Sequence, residues 1–327
     1  LLVNNPAYPH DHARLLLYHL KDGCLQDDFF YNLDKYLRPK TTLVVNNSKV
    51  ENCRWLFNEG RTEVFVLEKL DTKTIRALVR PGRKFKLSSK VELTDWLNVE
   101  VTDIDSEGIR TLKLNAMHDD KRLKTYEHIP LPPYIAQDDK LASEYQTVYA
   151  KASGSLAGPT AGLHFTDGLI EELKAGHKFA DLTLHVGLGT FASVTDENLR
   201  TGRLHGEDYA ISPKAADILN LSSHLTAVGT TSVRMLESAL ADKSEFRAEN
   251  STTFIFIRPG YKFKAVDSLV TNFHLPGTSL LMLVTAFIAD KRSLDELKAA
   301  AELKPIYEHA IVQKYRFYSF GDAMLLV

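Results

Sequence analysis

The sequence predicts a layered α/β protein with a small β-barrel domain inserted into it. Three observations lead there. Short apolar runs alternate with helical stretches in the C-terminal half, closely spaced runs without helices fill residues 61–128, and a length of 327 residues suits roughly two domains. With 44% hydrophobic and 25% charged residues the composition is that of an ordinary globular protein. A chain of this size buries a core without help from disulfides or metals.

Taken in order, residues 41–45 form a β-rich run that stops at Asn46-Asn47-Ser48, a buried strand followed by a turn. Runs 63–67, 75–79, 99–102 and 109–114 alternate in part, and Pro81-Gly82 and Glu107-Gly108 punctuate them. Three prolines in 129–134 prevent a helix or a central strand, so this segment is expected to be a stiff linker. Beyond it, 181–186, 226–228, 254–257 and 268–270 read as strands. Residues 232–240 read as a helix entered through Gly229, and 278–288 as a buried apolar helix. The simplest arrangement joins 1–60 and 129–327 in one α/β domain and leaves 61–128 as the inserted barrel.

Composition excludes several classes. Lys+Arg 40 against Asp+Glu 42 gives a net charge of −2, so the protein is not basic all over. A local basic stripe exists all the same: Lys73, Arg76, Arg80, Arg83, Lys84, Lys86 and Lys90 follow one another with no acid between them. It is able to track a phosphate backbone, or is simply a solvated face. Two cysteines, Cys24 and Cys53, are too few for a Cys-based zinc site or a secreted disulfide framework, so a reducing cytoplasm is expected. The longest apolar run, 280–284, is far short of the ~20 residues that span a bilayer, and no membrane attachment is expected. His10-Asp11-His12 lacks a companion ligand pair, so no metal is expected. Nucleophile-elbow and Walker A patterns are absent, and Gly187-Leu188-Gly189 lacks the third glycine of a dinucleotide fingerprint. The chain opens on Leu1 with no signal-peptide pattern.

Four polar clusters lie beside strand ends or glycine turns: Thr160 to His164, His185 with Gly189 and Thr190, Gly229 to Arg234, and Asn272 to His274. Ligands in open α/β sheets bind outside the carboxyl ends of the strands, so the four are expected to line one pocket. Each has a plainer reading as well. A single histidine is often structural, and Thr231-Ser232 is a serviceable helix N-cap.

At these clusters the chain resembles the S-adenosylmethionine:tRNA ribosyltransferase-isomerase family of queuosine biosynthesis over nearly its whole length. The matching stretches are 130–135, 145–150, 159–166, 183–191, 227–238, 256–263, 271–287 and 315–324. The resemblance implies an α/β domain interrupted by a β-barrel and no permanently bound cofactor. It also implies transfer and isomerisation of the ribosyl unit of S-adenosylmethionine onto 7-aminomethyl-7-deazaguanine at the tRNA wobble position. Epoxyqueuosine forms, and adenine and methionine leave. Removal of the proton beside a sulfonium and departure of adenine call for groups that titrate near neutrality. His164, His185 and His274 are therefore expected as acid/base and positioning groups, with Asp322 orienting one of them or contacting substrate. Thr160, Gly189, Thr190, Thr230, Thr231, Ser232, Arg234, Asn272 and Arg316 are expected to bind substrate. Arg234 would take the methionine carboxylate or a tRNA phosphate, and Asn272 ribose or base. The tRNA face is assigned to Lys73, Arg76, Arg80, Arg83, Lys84 and Lys86. A monomer is expected.

The chain departs from the family in places. His10-Asp11-His12-Ala13-Arg14 stands where Arg-Asp-x-Ser-Arg is usual, and Lys49 stands in an expected Asn-Asp-Thr-Arg motif. A His-x-Met-His-x-Glu pattern keeps only His205 and Glu207, and the family's usual opening residues have no counterpart. Two further readings stay open: a paralogue that acts on another base or nucleic acid, and a catalytically silent RNA-binding protein.

Overall fold

The computed structural model describes residues 5–132, 135, 138–187 and 194–327. The chain divides into two compact units, one taking the chain up to Lys49 and from Glu144 onward, the other holding Val50–Leu131. No helix among the described residues is long and apolar enough to cross a membrane.

The first unit is a mixed α/β structure on a nine-stranded sheet. Its centre is parallel: Lys178–Leu184, Thr42–Asn46, Leu225–Val228 and Ser268–Asn272 lie side by side in that order. Every residue of the last three strands is buried. Strands covered on both faces need apolar side chains at consecutive positions, which is why these segments read as unbroken β-rich runs. Alternation then divides the side chains between two cores. Val44, Ala227 and Leu269 face helices Thr230–Ala239, Ser279–Lys291 and Glu296–Val312. Leu43, Val45, Val228 and Val270 face Phe30, Phe165, Leu169 and Leu173.

Toward one edge, strand Arg203–Ile211 runs antiparallel between Lys178–Leu184 and the outer strand Glu249–Ile255. The strand expected at 254–257 therefore begins earlier and ends at Ile255. Its polar residues sit on a sheet edge where one face meets solvent, so apolar content marks it poorly.

Helix Thr230–Ala239 is locked to the loop beyond that strand by Glu237, which is fully buried. Its Oε2 accepts from the Tyr261 hydroxyl at 3.0 Å and the Lys264 N–H at 3.0 Å. Its Oε1 accepts from the Ala265 and Val266 N–H groups at 3.0 and 3.1 Å. Glu237→Gln replaces one accepting oxygen with an NH2 group that faces donors. It is expected to lower stability by about 2–3 kcal/mol in urea unfolding, and a loss under about 1 kcal/mol would contradict this anchor.

The second unit is a seven-stranded antiparallel sheet, in the order Glu127–His128, Arg54–Phe57, Thr62–Lys69, Thr74–Arg80, Arg110–Leu114, Asn98–Ile104, Lys90–Glu92. Trp55, Val64, Val66, Ile75, Ala77, Val99, Val101 and Leu112 are buried at alternate positions, the period of strands with one covered face. Strand Arg54–Phe57 belongs to this sheet, ahead of residue 61.

Candidate active site

The parallel strands end at Asn272 and Val228, and the Thr160–His164 segment meets Asn272 and the Gly229 turn at those carboxyl ends. Pro159 leads into the short 3-10 turn Thr160–Gly162. Thr166 then caps helix Asp167–Lys174 by accepting from Leu169 N–H at 3.2 Å, which fixes the backbone two residues past His164. His164 is buried, with its ring 5.1 Å from that of Phe30.

Asn272 shares the Val270 face of its strand and meets this turn. Its amide N–H groups donate to His164 Nε2 at 3.2 Å and to the Tyr318 carbonyl at 3.4 Å, while its Oδ1 accepts from the Thr160 hydroxyl at 3.2 Å. Nε2 is thus the acceptor, which puts the ring hydrogen on Nδ1. The Asn272 amide is occupied internally, so it positions His164 in this state of the protein.

Burial pushes the His164 imidazole down to about 4; Asp322 opposes that shift, and Arg316 and His10 add to it. The ring is neutral at pH 7. An unfolded chain takes up this proton near 6.5 and the folded one only near 4, so between those values the unfolded chain binds more protons. The contribution of this group to stability is complete above about pH 6.5 and is lost as the pH falls toward 4, by up to about 3 kcal/mol. Urea unfolding at several pH values checks this. His164→Asn should flatten the decline, and an equally steep decline in the variant would deny His164 its share.

Asp322, 1% exposed, precedes strand Ala323–Leu326. It accepts from Arg316 Nε at 3.0 Å, Arg316 Nη2 at 2.8 Å, and the N–H groups of Arg316 at 2.8 Å and Arg14 at 3.1 Å. Among the described residues no hydrogen bond joins it to His164, so it acts on that ring through its field. On the other side His10 donates from Nδ1 to the Leu163 carbonyl at 2.6 Å and pairs through Nε2 with Glu144 at 2.7 Å, tying the His164 turn in place. Nothing in the sequence reading marked this link.

Gly229, at φ 86°, turns strand Leu225–Val228 into helix Thr230–Ala239. A Cβ here would lie 3.5 Å from Ala161, so the turn abuts the His164 segment. Gly229 itself is the N-cap and no side chain caps this helix, so the expected N-cap use of Thr231-Ser232 is not found; Ser232 instead donates its hydroxyl to the Val228 carbonyl at 2.8 Å. Thr230 is buried as well, and Thr231 keeps a buried hydroxyl without a partner among the described residues. One turn along the same face, Arg234 is 5% exposed and its Nη1 is paired with Glu207. Its Nε and Nη2 have no partner among the described residues. Burial pushes the guanidinium down to about 10, which leaves it charged at pH 7. Glu207 also accepts from the Gly187 N–H at 3.1 Å and so links the end of strand Lys178–Leu184 to Arg234. Glu207 is the retained acid of the altered His-x-Met-His-x-Glu pattern, a signal that was present in the sequence but given no role.

His185 follows that strand and keeps a buried Nδ1 without a partner among the described residues. Its ring lies over Gly154, where a Cβ would come within 2.9 Å. Gly189 and Thr190 lie outside the described residues. His274 separates from the others. Its Nε2 bonds Thr271, which leaves the opposite face of the strand from Asn272, at 2.8 Å, and its N–H donates to the Tyr307 hydroxyl at 3.0 Å. Burial of its ring pushes it down to about 4.

In the second unit, cross-strand register brings acids to the basic stripe. Arg80 stands opposite Glu63 and Arg76 opposite Glu68, with ion pairs at 3.0 and 3.4 Å, and Arg76 also meets Asp105 at 2.8 Å. Lys73, Arg83, Lys84, Lys86 and Lys90 are exposed and make no ion pair among the described residues.

A profile described as "Queuosine biosynthesis protein" matches residues 1–326. The chain belongs to this family. Relatives within the queuosine biosynthesis family include the S-adenosylmethionine:tRNA ribosyltransferase-isomerase of Moorella thermoacetica, 40% identical over 338 residues, covering 100% of this chain and 96% of the relative. The protein of the same name from Syntrophomonas wolfei is 41% identical over 341 residues, covering 100% and 94%. A crystal structure of S-adenosylmethionine tRNA ribosyltransferase from Thermotoga maritima matches with a TM-score of 0.54 at 31% identity, covering 100% of this chain and 96% of that one. The resemblance read from the motifs is thereby borne out, and the chain is an enzyme of the queuosine biosynthesis family.

Proposed function

We propose that the protein transfers and isomerises the ribosyl unit of S-adenosylmethionine onto 7-aminomethyl-7-deazaguanine at the tRNA wobble position, giving epoxyqueuosine-tRNA with release of adenine and methionine. The observation that carries this reading is the buried Thr160–Asn272–His164 chain, held at the carboxyl edge of the sheet in a member of this family. A sulfonium acidifies the adjacent C5′–H, and a base is needed to take that proton. His164 is neutral at pH 7 and has a lone pair on Nε2, which substrate would claim from the 3.2 Å Asn272 bond. Asn272 and Thr160 act as positioning residues. Asp322 holds Arg316 beside the site, and its negative field favours the imidazolium once a proton arrives.

Arg234 has two donors without a partner among the described residues, and Thr231 on the same helix has a hydroxyl in the same condition, groups suited to receive the methionine carboxylate of the donor. Glu207 fixes the guanidinium and partly offsets its charge. In this reading His185 with Gly189 and Thr190 completes the donor site, and His274 supports the strand end from the other face. The second unit is an inserted barrel-like domain whose Lys73, Arg83, Lys84 and Lys86 meet tRNA phosphates. S-adenosylmethionine is a substrate with no permanent cofactor beside it, and the protein works as a cytoplasmic monomer.

The test incubates the protein with S-adenosylmethionine and tRNA with or without the aminomethyl-deazaguanine base, following free adenine. Release only with the modified tRNA supports the proposal. Turnover with another acceptor, or salt-sensitive tRNA binding without adenine, would replace it.

A further inference from the structure

We propose that a cavity beside the N-terminal end of helix Ser279–Lys291 receives a phosphate-bearing nucleotide of the RNA substrate, a neighbour of the reacting base. The cavity has a volume of about 540 Å³, within the range of small-molecule sites. Leu199, Pro259, Leu281 and Met282 give it an apolar wall, and Arg258 and Thr278 supply its polar groups. Gly277 also lines it and leaves the space over its backbone open.

Charge selects the occupant. Arg258 is exposed and makes no ion pair among the described residues; its Nη1 donates to the Leu199 carbonyl at 3.1 Å, which holds the guanidinium at the mouth. No lining residue is acidic. The Thr278 and Thr285 hydroxyls donate to the carbonyls of Leu275 and Leu281, each at 2.8 Å. The 13-residue helix adds the positive end of its dipole on the same side. Such a wall attracts anions and disfavours cations.

This inference rests on the proposed reaction, in which Arg234 takes the one carboxylate of S-adenosylmethionine, the sulfonium and ammonium of that donor are cationic, and the acceptor base carries an aminomethyl group. Those cationic groups gain nothing here. Of the reactants only tRNA carries phosphate, and each of its phosphates comes with a base able to lie on an apolar wall. Thr278 follows Asn272 by six positions, so a short stretch of chain joins the cavity to the strand end that carries Asn272.

The test uses the full chain with Arg258→Ala and, separately, Leu199→Trp, which fills the mouth at a position 42% exposed and tolerant of bulk. Fluorescence anisotropy gives the Kd for tRNA across a salt series, and adenine release gives the KM for S-adenosylmethionine. Arg258→Ala is expected to raise the tRNA Kd about tenfold and to reduce the salt slope by about one. Arg258→Lys restores the slope. Leu199→Trp raises the Kd several-fold with the slope unchanged. A tRNA Kd that moves less than about twofold in both variants would overturn the proposal, as would a KM for S-adenosylmethionine that rises by as much as the tRNA Kd. Failure of the proposed reaction shows separately, as no adenine from the unaltered protein, while the anisotropy series still decides the cavity.

Discussion

His164→Ala is expected to lower adenine release by about 10²–10⁴-fold, the usual share of a positioned acid or base. The ring is buried against Phe30, and its Nε2 accepts from the Asn272 amide. Losing the imidazole removes the proton acceptor and frees Asn272 to swing. Asn272→Ala should therefore lose much of the same activity, and the double variant little more than His164→Ala alone, because the two act as a unit. His274→Ala provides the contrast. Its imidazole bonds Thr271 on the other face of the strand, so turnover should fall far less. Single-turnover adenine release in the three variants checks the ranking. Equal losses at His164 and His274 would mean that the sheet does not separate their roles.

Glu207→Gln should cost about 3–5 kcal/mol of stability, because it strips a charged partner from a guanidinium that cannot reach water. Arg234 is 5% exposed and Glu207 4%, and two of the Arg234 nitrogens already lack a partner among the described residues. The same change leaves one accepting oxygen where two served the Gly187 N–H and the Arg234 guanidinium, so one of these donors faces an amide NH2 group and the link to the end of strand Lys178–Leu184 is weakened. A paired Glu207→Leu, Arg234→Met variant should recover much of the stability, since apolar groups of similar volume often replace a buried pair at no loss. It should not recover affinity for S-adenosylmethionine if Arg234 grips the carboxylate. Urea unfolding together with donor binding separates the two effects. A loss below about 1 kcal/mol in Glu207→Gln would show the pair to be dispensable.

How much of this was legible in the sequence depends on where each residue sits. The central strands announced themselves because both faces are covered, so 42–46 and 268–272 carry no polar alternation to confuse them. Strand Glu249–Ile255 hid behind Glu249, Asn250, Ser251, Thr252 and Thr253, residues suited to a half-exposed edge. Helix Glu296–Val312 runs through Pro305, which local propensity counts against it. At the site, strand-end motifs located the His164, Arg234 and Asn272 segments. The split between Asn272 and His274 follows from the two-residue period of the strand, which a motif reading does not apply. Glu207 and His10 act through contacts far away in the chain, Arg234 and Leu163 respectively, and neither carries a local signature. The basic stripe looked free of acids for the same reason, since Glu63 and Glu68 arrive from the neighbouring strand.

The account stands on one site at the carboxyl edge of the sheet, built on the Asn272 face and including His164. The most direct measurement is a titration of ¹⁵N-histidine-labelled protein with S-adenosylmethionine, the His164 ring signals being assigned by loss in His164→Asn. The account predicts that the free protein shows a neutral, Nδ1-protonated His164 at pH 7 whose signals move on binding, while those of His274 stay nearly still. Movement of His274 with a silent His164 would contradict it.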